Sequence, residues 1–210
     1  MNTEQSGTAV AQLPRTPKGR ATRARVLRVA ADLMYERGAA ATSIDDVKRE
    51  ANVSASQVGH YFGDKRSLVR AVIGYQTEAV LEGQRPLLDQ LDSFEALRKW
   101  CDLNIALLDA NACVGGCAIG SLAAELADTD PDLRADLAQG FERWREPIRA
   151  GLASMKNRGE LREEADPEKL ATALLAGLEG GTLLSQTTRS SAPLAATLDS
   201  LLDYIRLLAR

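Results

Sequence analysis

The residues from Ser54 to His60 carry the side chains of this sequence best suited to reading a nucleic acid. An amide is supplied by Gln57 and an imidazole by His60, the single histidine of the 210 residues. A glutamine can hydrogen-bond an adenine edge, and a histidine can hydrogen-bond a guanine edge or a phosphate. This is the chemistry of recognition rather than of catalysis.

Catalytic motifs are missing from the sequence. It contains no nucleophile elbow, no phosphate-binding loop and no paired His–carboxylate motif. We therefore expect a protein that is not an enzyme and that needs neither a cofactor nor a metal.

A first short helix is predicted immediately before this stretch. Thr42 is placed to cap it, with Asp45 three residues later as the partner in a capping box. Asn52 tolerates a left-handed conformation and therefore suits the position where the helix stops. The helix buries the apolar residues that recur with helical spacing, which are Ile44, Val47 and Ala51.

A second short helix is predicted to begin after Ser54, which suits its N-cap, and to point Val58 and Phe62 inward. Two helices joined by a tight turn form a helix-turn-helix, whose second helix enters the major groove of DNA. The residues expected to face the groove are Ala55, Ser56, Gln57, Gly59 and His60.

The run VSASQVGHYFGDKRSL resembles the recognition helix and the following helix of TetR/AcrR-type repressors. The matching positions are Val53, Ser54, Ser56, Val58, Tyr61, Phe62, Lys65 and Leu68. Gly59 departs from the family pattern, which has a tyrosine there that commonly contacts a phosphate and a thymine methyl group. One backbone contact of the family is therefore in doubt for this chain.

The resemblance implies a set of DNA contacts. Ala55, Ser56 and His60 would lie nearest the bases, and the position of Gln57 often meets a phosphate in relatives. Phosphate contacts are also implied for Tyr61, Lys65 and the helix start with its free N–H groups. The complete set of expected DNA-binding residues is Thr42, Ser43, Ser54, Ala55, Ser56, Gln57, His60, Tyr61 and Lys65.

The charge distribution agrees with this expectation. The whole chain has a net charge of −3, but residues 1–66 contain 11 basic and 7 acidic residues, which gives +4. Residues 15–28 alone hold six basic residues and no acid, which indicates either a solvated helix start or an arm that contacts phosphates. A basic first part on an acidic remainder suits a protein whose first part meets DNA.

Helical periodicity continues to the C-terminus, and we predict an all-α fold of about nine helices without a convincing strand. Residues 1–14 are predicted to be a disordered arm, 15–63 a three-helix DNA-binding domain, and 64–210 a helical domain for ligand binding and dimerisation. Asp64 suits the cap of a fourth helix and Ser93 that of a fifth, while Pro147 is expected to kink a long helix.

The run GCAIGSLAAELADTDPDLRADLAQGFERW resembles the ligand-binding half of the LmrA/YxaF-like branch of TetR regulators. The family binds a small molecule among the helices that follow the DNA-binding domain and pairs its last two helices as a dimer. The residues predicted to line the ligand pocket are Trp100, Asn104, Leu107, Cys117, Phe141, Trp144, Leu174 and Leu178. Those predicted to form the dimer interface are Leu170, Leu174, Gly177, Leu194, Leu198, Leu201 and Ile205.

Three cysteines and the absence of an 18-residue apolar run predict a cytoplasmic protein with free thiols and no membrane span. The leading hypothesis is a homodimeric repressor that releases its double-stranded DNA operator when a small apolar or aromatic effector binds. One alternative is a regulator that senses oxidation through Cys113 and Cys117. Another is a helical carrier of small molecules without a role on DNA.

Overall fold

A computed structural model describes Pro14 and residues 16–210. Apart from Pro14, the predicted disordered arm lies outside the described residues. Within the described part, the chain forms nine α-helices and one short 3-10 helix. The one pairing of extended backbone there is an isolated antiparallel bridge between Leu161 and Ala209. The prediction of an all-α fold is confirmed.

The chain divides into two compact units, Met1–Tyr75 and Gln76–Arg210, with the boundary inside the fourth helix. The helices that begin in the first unit are α1 Pro17–Arg37, α2 Ile44–Glu50, α3 Ala55–Phe62 and α4 Lys65–Glu82. The second unit adds a 3-10 helix, Leu87–Gln90, and then α5 Phe94–Ala110, α6 Ala118–Leu126, α7 Pro131–Asn157, α8 Pro167–Thr188 and α9 Ala192–Leu207.

The first unit is built around the apolar face of α1. Thr16 caps this helix by accepting a hydrogen bond from the Gly19 N–H at 3.0 Å, and Gly38 ends it with a positive φ of 86°. The guanidinium of Arg23 lies 4.9 Å from the centre of the Phe62 ring on α3. The buried residues of α1 are Val26, Val29, Ala30, Ala31, Leu33 and Met34.

The cap of α2 is Ser43 and not Thr42, so the sequence prediction was wrong by one residue. The Ser43 hydroxyl accepts from the Asp46 N–H at 3.1 Å, while the Asp46 carboxylate accepts from the Ser43 N–H at 3.1 Å. The Ser43 hydroxyl also donates to the Asp46 carboxylate at 2.6 Å. This bond, the one from the Ser43 N–H and a further one from Arg49 lower the pKa of Asp46 to about 2. Thr42 instead donates its hydroxyl hydrogen bond to the Gly38 carbonyl at 2.8 Å.

The other predicted caps are confirmed. Asn52 is left-handed with φ of 49°, and Ser54 caps α3. Asp64 accepts from the Ser67 N–H at 2.7 Å at the start of α4, and Ser93 accepts from the Ala96 N–H at 3.1 Å at the start of α5.

In the second unit, α7 and α9 pack on α8. Helix α9 also packs on α5, and α5 contacts the 3-10 helix. Pro147 lies inside α7, which continues beyond it to Asn157. Two glycines allow close approaches here. A Cβ on Gly151 would lie 2.1 Å from the Leu91 carbonyl oxygen, and a Cβ on Gly181 would lie 2.9 Å from the Leu194 Cα.

Candidate functional site

The face of α3 that is not packed in the first unit carries the residues predicted to meet DNA. Val58 and Phe62 are each 2% exposed and anchor the opposite face of the helix. All five predicted groove-facing residues are exposed: Ala55, Ser56, Gln57, Gly59 and His60. The geometry therefore presents one short polar helix face to solvent on a well-packed support.

Hydrogen bonds within this face show which of its polar groups are used to cap α3 and which are available to a ligand. The side-chain oxygen of Gln57 accepts from the Ser54 N–H at 2.9 Å, while the Ser54 hydroxyl accepts from the Gln57 N–H at 3.2 Å. Reading adenine through both of its groups requires the glutamine oxygen as well as the nitrogen. Because the oxygen already closes the capping box, Gln57 is better suited to donating to a phosphate.

The side chain best placed to reach a base edge is His60. It is exposed, and its ring packs edge-on against Tyr61 with the ring centres 5.3 Å apart. Ser56 is less free, because its hydroxyl lies 3.0 Å from that of Ser54. Tyr61, which was predicted to contact a phosphate, is only 8% exposed. Most of its side chain therefore packs inside the first unit.

Gly59 leaves open space on the same face. A Cβ built there would meet no heavy atom within 4 Å. A side chain could therefore begin at this position without a clash at its Cβ. The structure requires no glycine at this position.

Lys65 and Thr42, both predicted to contact phosphates, differ in their exposure and hydrogen bonding. Lys65 donates from its ammonium to the Ala40 carbonyl at 3.1 Å, beside the loop that leads into α2. Thr42 is 1% exposed and its hydroxyl is bonded to the Gly38 carbonyl, so its side chain is poorly placed for the predicted phosphate contact. The exposed hydroxyl at the start of α2 belongs to Ser43.

Both tryptophans of the second unit are bound to one glutamine that the sequence reasoning missed. The Gln84 side-chain oxygen accepts from the indole N–H of Trp100 at 2.7 Å and from that of Trp144 at 3.0 Å. Gln84 is 3% exposed, Trp100 0% and Trp144 3%. The three side chains form a satisfied polar contact inside the apolar core.

The remaining predicted pocket residues fall into several environments. Leu174 and Leu178 are buried, Leu107 is 41% exposed, and Phe141 is half-buried. The side chain of Asn104 donates to the Trp100 carbonyl at 2.8 Å, one turn away on the same helix. Among the eight predicted pocket residues, Cys117 lines a cavity between α6 and α8.

That cavity has a volume of about 410 Å³ and is walled by α6 with its N-cap and by α8. The wall at α6 consists of Cys117, Gly120, Ser121 and Ala124. The wall at α8 consists of Glu179, Gly180, Thr182, Leu183 and Gln186. Glu179 could have been suspected from the sequence, because it is a single carboxylate within the otherwise uncharged run ATALLAGLEGGTLL.

Most residues of the predicted dimer interface are buried within a single protomer, and their part in a dimer stays a prediction. Leu170, Leu174, Leu194, Leu198 and Ile205 are at most 5% exposed. They are buried within one protomer, because α8 and α9 pack on each other and on neighbouring helices. Gly177 and Leu201 also meet there, since a Cβ on Gly177 would lie 2.5 Å from a Leu201 methyl group. The large apolar side chains exposed on α8 and α9 are Leu183, Leu184, Tyr204 and Leu207.

The cysteines are poorly suited to sensing oxidants. Burial raises the pKa of the Cys101 thiol to about 12 and also raises that of Cys117. Cys113 is 3% exposed. Since the thiolate is the reactive form, buried thiols of raised pKa react slowly. No group of three or more metal-ligating side chains occurs in the described part of the chain.

An exposed recognition helix on a helix-turn-helix, followed by a helical unit with a cavity, is the architecture of a ligand-responsive DNA-binding regulator. The sequence pattern described as "Bacterial regulatory proteins, tetR family" matches residues 26–72. The pattern described as "Tetracyclin repressor-like, C-terminal domain" matches residues 93–201, about half of the chain. The chain belongs to the TetR family of transcriptional regulators.

Individual relatives agree with this assignment. The chain is 25% identical over 167 residues to the HTH-type transcriptional repressor DhaR of Mycobacterium sp. strain GP1, covering 77% of this chain and 81% of that protein. It is 27% identical over 176 residues to the uncharacterised regulator YxaF of Bacillus subtilis, covering 82% and 89%. A crystal structure of a TetR regulator from Chloroflexus aurantiacus has a TM-score of 0.80 and 29% identity, covering 93% and 99%.

No helix in the described part of the chain is long and apolar enough to cross a membrane.

Proposed function

We propose that this regulator is a homodimeric repressor that binds an operator through α3 and leaves it when a small effector occupies the second unit. The observation that carries the proposal is the exposed polar face of α3, with His60 free to reach a base edge. The positive charge of residues 1–66 supports the same reading, because Lys and Arg supply most of the affinity for the phosphate backbone. A protein with this role acts on the chromosome, and we therefore expect it in the cytoplasm.

The dimer would use the outer surfaces of α8 and α9. Leu183 and Leu184 are 62% and 55% exposed on α8, and Tyr204 and Leu207 are 53% and 71% exposed on α9. Large apolar side chains that both helices expose are candidates for an interface. A second copy is the natural occupant, because a helix-turn-helix reader gains specificity by placing two recognition helices on half-sites about 34–36 Å apart.

The effector acts only if it distinguishes two shapes of the protein. A ligand with equal affinity for the DNA-binding and the released shape shifts nothing, however tightly it binds. Coupling of about 1–3 kcal/mol is typical and corresponds to a loss of operator affinity of about 5- to 150-fold. By linkage, operator DNA must weaken effector binding by the same factor.

Selection from a pool of random duplex DNA tests the proposal. The purified protein is expected to enrich an inverted repeat, because two copies of α3 would read two half-sites related by a two-fold axis. The matched control is the double variant His60→Ala, Lys65→Ala, which should enrich no sequence. If the wild-type protein enriches nothing under the same conditions, the proposed function is wrong.

A further inference from the structure

The N-cap of α6 is a cysteine whose thiol is engaged on both sides. Its sulfur accepts from the Gly120 N–H at 3.4 Å, and the Glu179 carboxyl of α8 lies close enough to interact with the thiol. Side chains of α8 approach α6 and its N-cap closely on either side of Cys117. A Cβ on Gly116 would lie 2.3 Å from the Gln186 side-chain oxygen, and one on Gly120 would lie 2.4 Å from a Glu179 oxygen.

The cavity between these elements contains an acid without a basic partner on its walls. Among the described residues that line it, Glu179 is the only one that carries charge. Burial raises the pKa of Glu179, while the hydrogen bond from Cys117 acts in the opposite direction. A half-buried carboxylate held by one weak thiol donor lacks the charged partner that normally offsets its desolvation.

The other walls define the rest of a ligand. Ala124 and Leu183 supply apolar contact, while Ser121, Thr182 and Gln186 supply hydroxyl and amide groups. The volume of about 410 Å³ lies in the range of small-molecule pockets, about 300–1,000 Å³. A ligand with an apolar body and one cationic nitrogen would match the apolar walls and the carboxyl group of Glu179.

We propose that this cavity binds a small organic cation, whose ammonium or amidinium N–H groups pair with the Glu179 carboxylate while its apolar body rests on Ala124 and Leu183. The inference deepens the proposed function and rests on it, since it assigns the effector site and the chemical class of the effector. It adds a cationic nitrogen to the small apolar or aromatic effector predicted from the sequence, and it places that effector beside Cys117 rather than beside Trp100 and Trp144.

Calorimetric titration of the full-length protein without DNA tests the inference. The probes are benzylammonium and its neutral analogue benzyl alcohol. Wild-type protein is expected to bind benzylammonium about tenfold more tightly than benzyl alcohol, because hydrogen bonds to charged groups are stronger than those between neutral groups. Glu179→Gln should weaken benzylammonium binding by about tenfold or more and leave benzyl alcohol nearly unchanged.

Two further variants make the outcome decisive. Glu163→Gln removes the same charge from an exposed site outside the cavity wall and should bind benzylammonium like the wild type. Thr182→Lys places an ammonium in the cavity wall and should abolish benzylammonium binding, which tests the site even if Glu179→Gln unfolds the protein. The inference is overturned if benzylammonium binds no better than benzyl alcohol, or if these cavity variants leave its binding unchanged.

Failure of this inference is distinguishable from failure of the proposed function. The titration contains no DNA. A protein that binds the cation but selects no duplex would therefore refute the proposed repressor function and support the cation site in the cavity. A protein that selects an inverted repeat but ignores the cation would refute the effector class alone.

Discussion

We propose that His60 and Lys65 contact DNA in different chemical ways, so their substitution should separate base reading from phosphate binding. His60 is exposed on the solvent-facing side of α3, whereas the Lys65 ammonium lies beside the loop that precedes α2. Contacts to base edges carry sequence information, and contacts to phosphates contribute affinity without it.

We expect His60→Ala to weaken binding to the selected duplex by about 1–3 kcal/mol while leaving random duplex nearly unaffected. Lys65→Ala should weaken both duplexes alike and reduce the slope of log affinity against log salt by about 1. Fluorescence anisotropy at several salt concentrations measures both effects. An equal loss on both duplexes would exclude His60 from base reading.

At the scale of single residues, the sequence predicted which side of α3 is exposed but not how its polar groups are shared. The helical period places Val58 and Phe62 on one side, and both are buried. Whether Gln57 serves the capping box or the DNA depends on side-chain geometry, and here its oxygen serves the cap. The one-residue error at Thr42 has a similar origin, because Asp45 and Asp46 both fit a capping box by spacing alone.

At the scale of helices, the 3-10 helix and the contact made by Gln84 distinguish the structure from the predicted pattern. Gln84 follows α4 and joins Trp100 of α5 to Trp144 of α7. The sequence placed the two tryptophans among the residues of the ligand pocket. It could not identify their shared acceptor, because a polar residue between two helices has no periodic signal.

Gln84→Leu should lower the free energy of unfolding by at least about 2 kcal/mol, since each buried N–H left without an acceptor costs about 1–3 kcal/mol. The matched control is Gln90→Leu, because Gln90 is exposed on the 3-10 helix. Urea unfolding at one fixed protein concentration compares the two variants with the wild type. Equal stability of both variants would show that the shared acceptor contributes little.

Two glycines of α8 show that a glycine does not by itself mark the end of a helix. Gly180 and Gly181 lie inside the helix, which continues to Thr188 before ending at the left-handed Arg189. Gly181 is needed for the approach of α9 rather than for a turn. A sequence shows that a glycine is present but not which of these two roles it has.

At the scale of the whole molecule, the exposed leucines of α8 and α9 determine how a dimer would form. The apolar stripe of α9 was correctly expected to be buried, but the prediction assigned that burial to a partner copy. Leu198 is 0% exposed in a single protomer, whereas Leu207 is 71% exposed. Periodicity locates the buried face of a helix, but it does not tell whether the same chain or a second copy covers it.

Leu207→Arg should therefore convert a dimer into a monomer at micromolar concentration without unfolding the protomer. Burying an unpaired charge in an interface costs several kcal/mol, whereas an arginine at an exposed site of a monomer costs little. Leu107→Arg is the matched control, because Leu107 is exposed on α5. Sedimentation velocity measures the state of each protein, and a wild type that sediments as a monomer would contradict the proposed interface.

The most direct test of the account is the affinity of wild-type protein for its selected duplex, compared with the same duplex after one half-site is scrambled. Titration at physiological salt should show at least about a tenfold loss, since each mismatched base pair typically costs about 1–3 kcal/mol. A scrambled control that destroys both half-sites should bind about 10³-fold or more weakly than the intact repeat. Equal affinities for the three duplexes would contradict a dimeric regulator that reads DNA through two copies of α3.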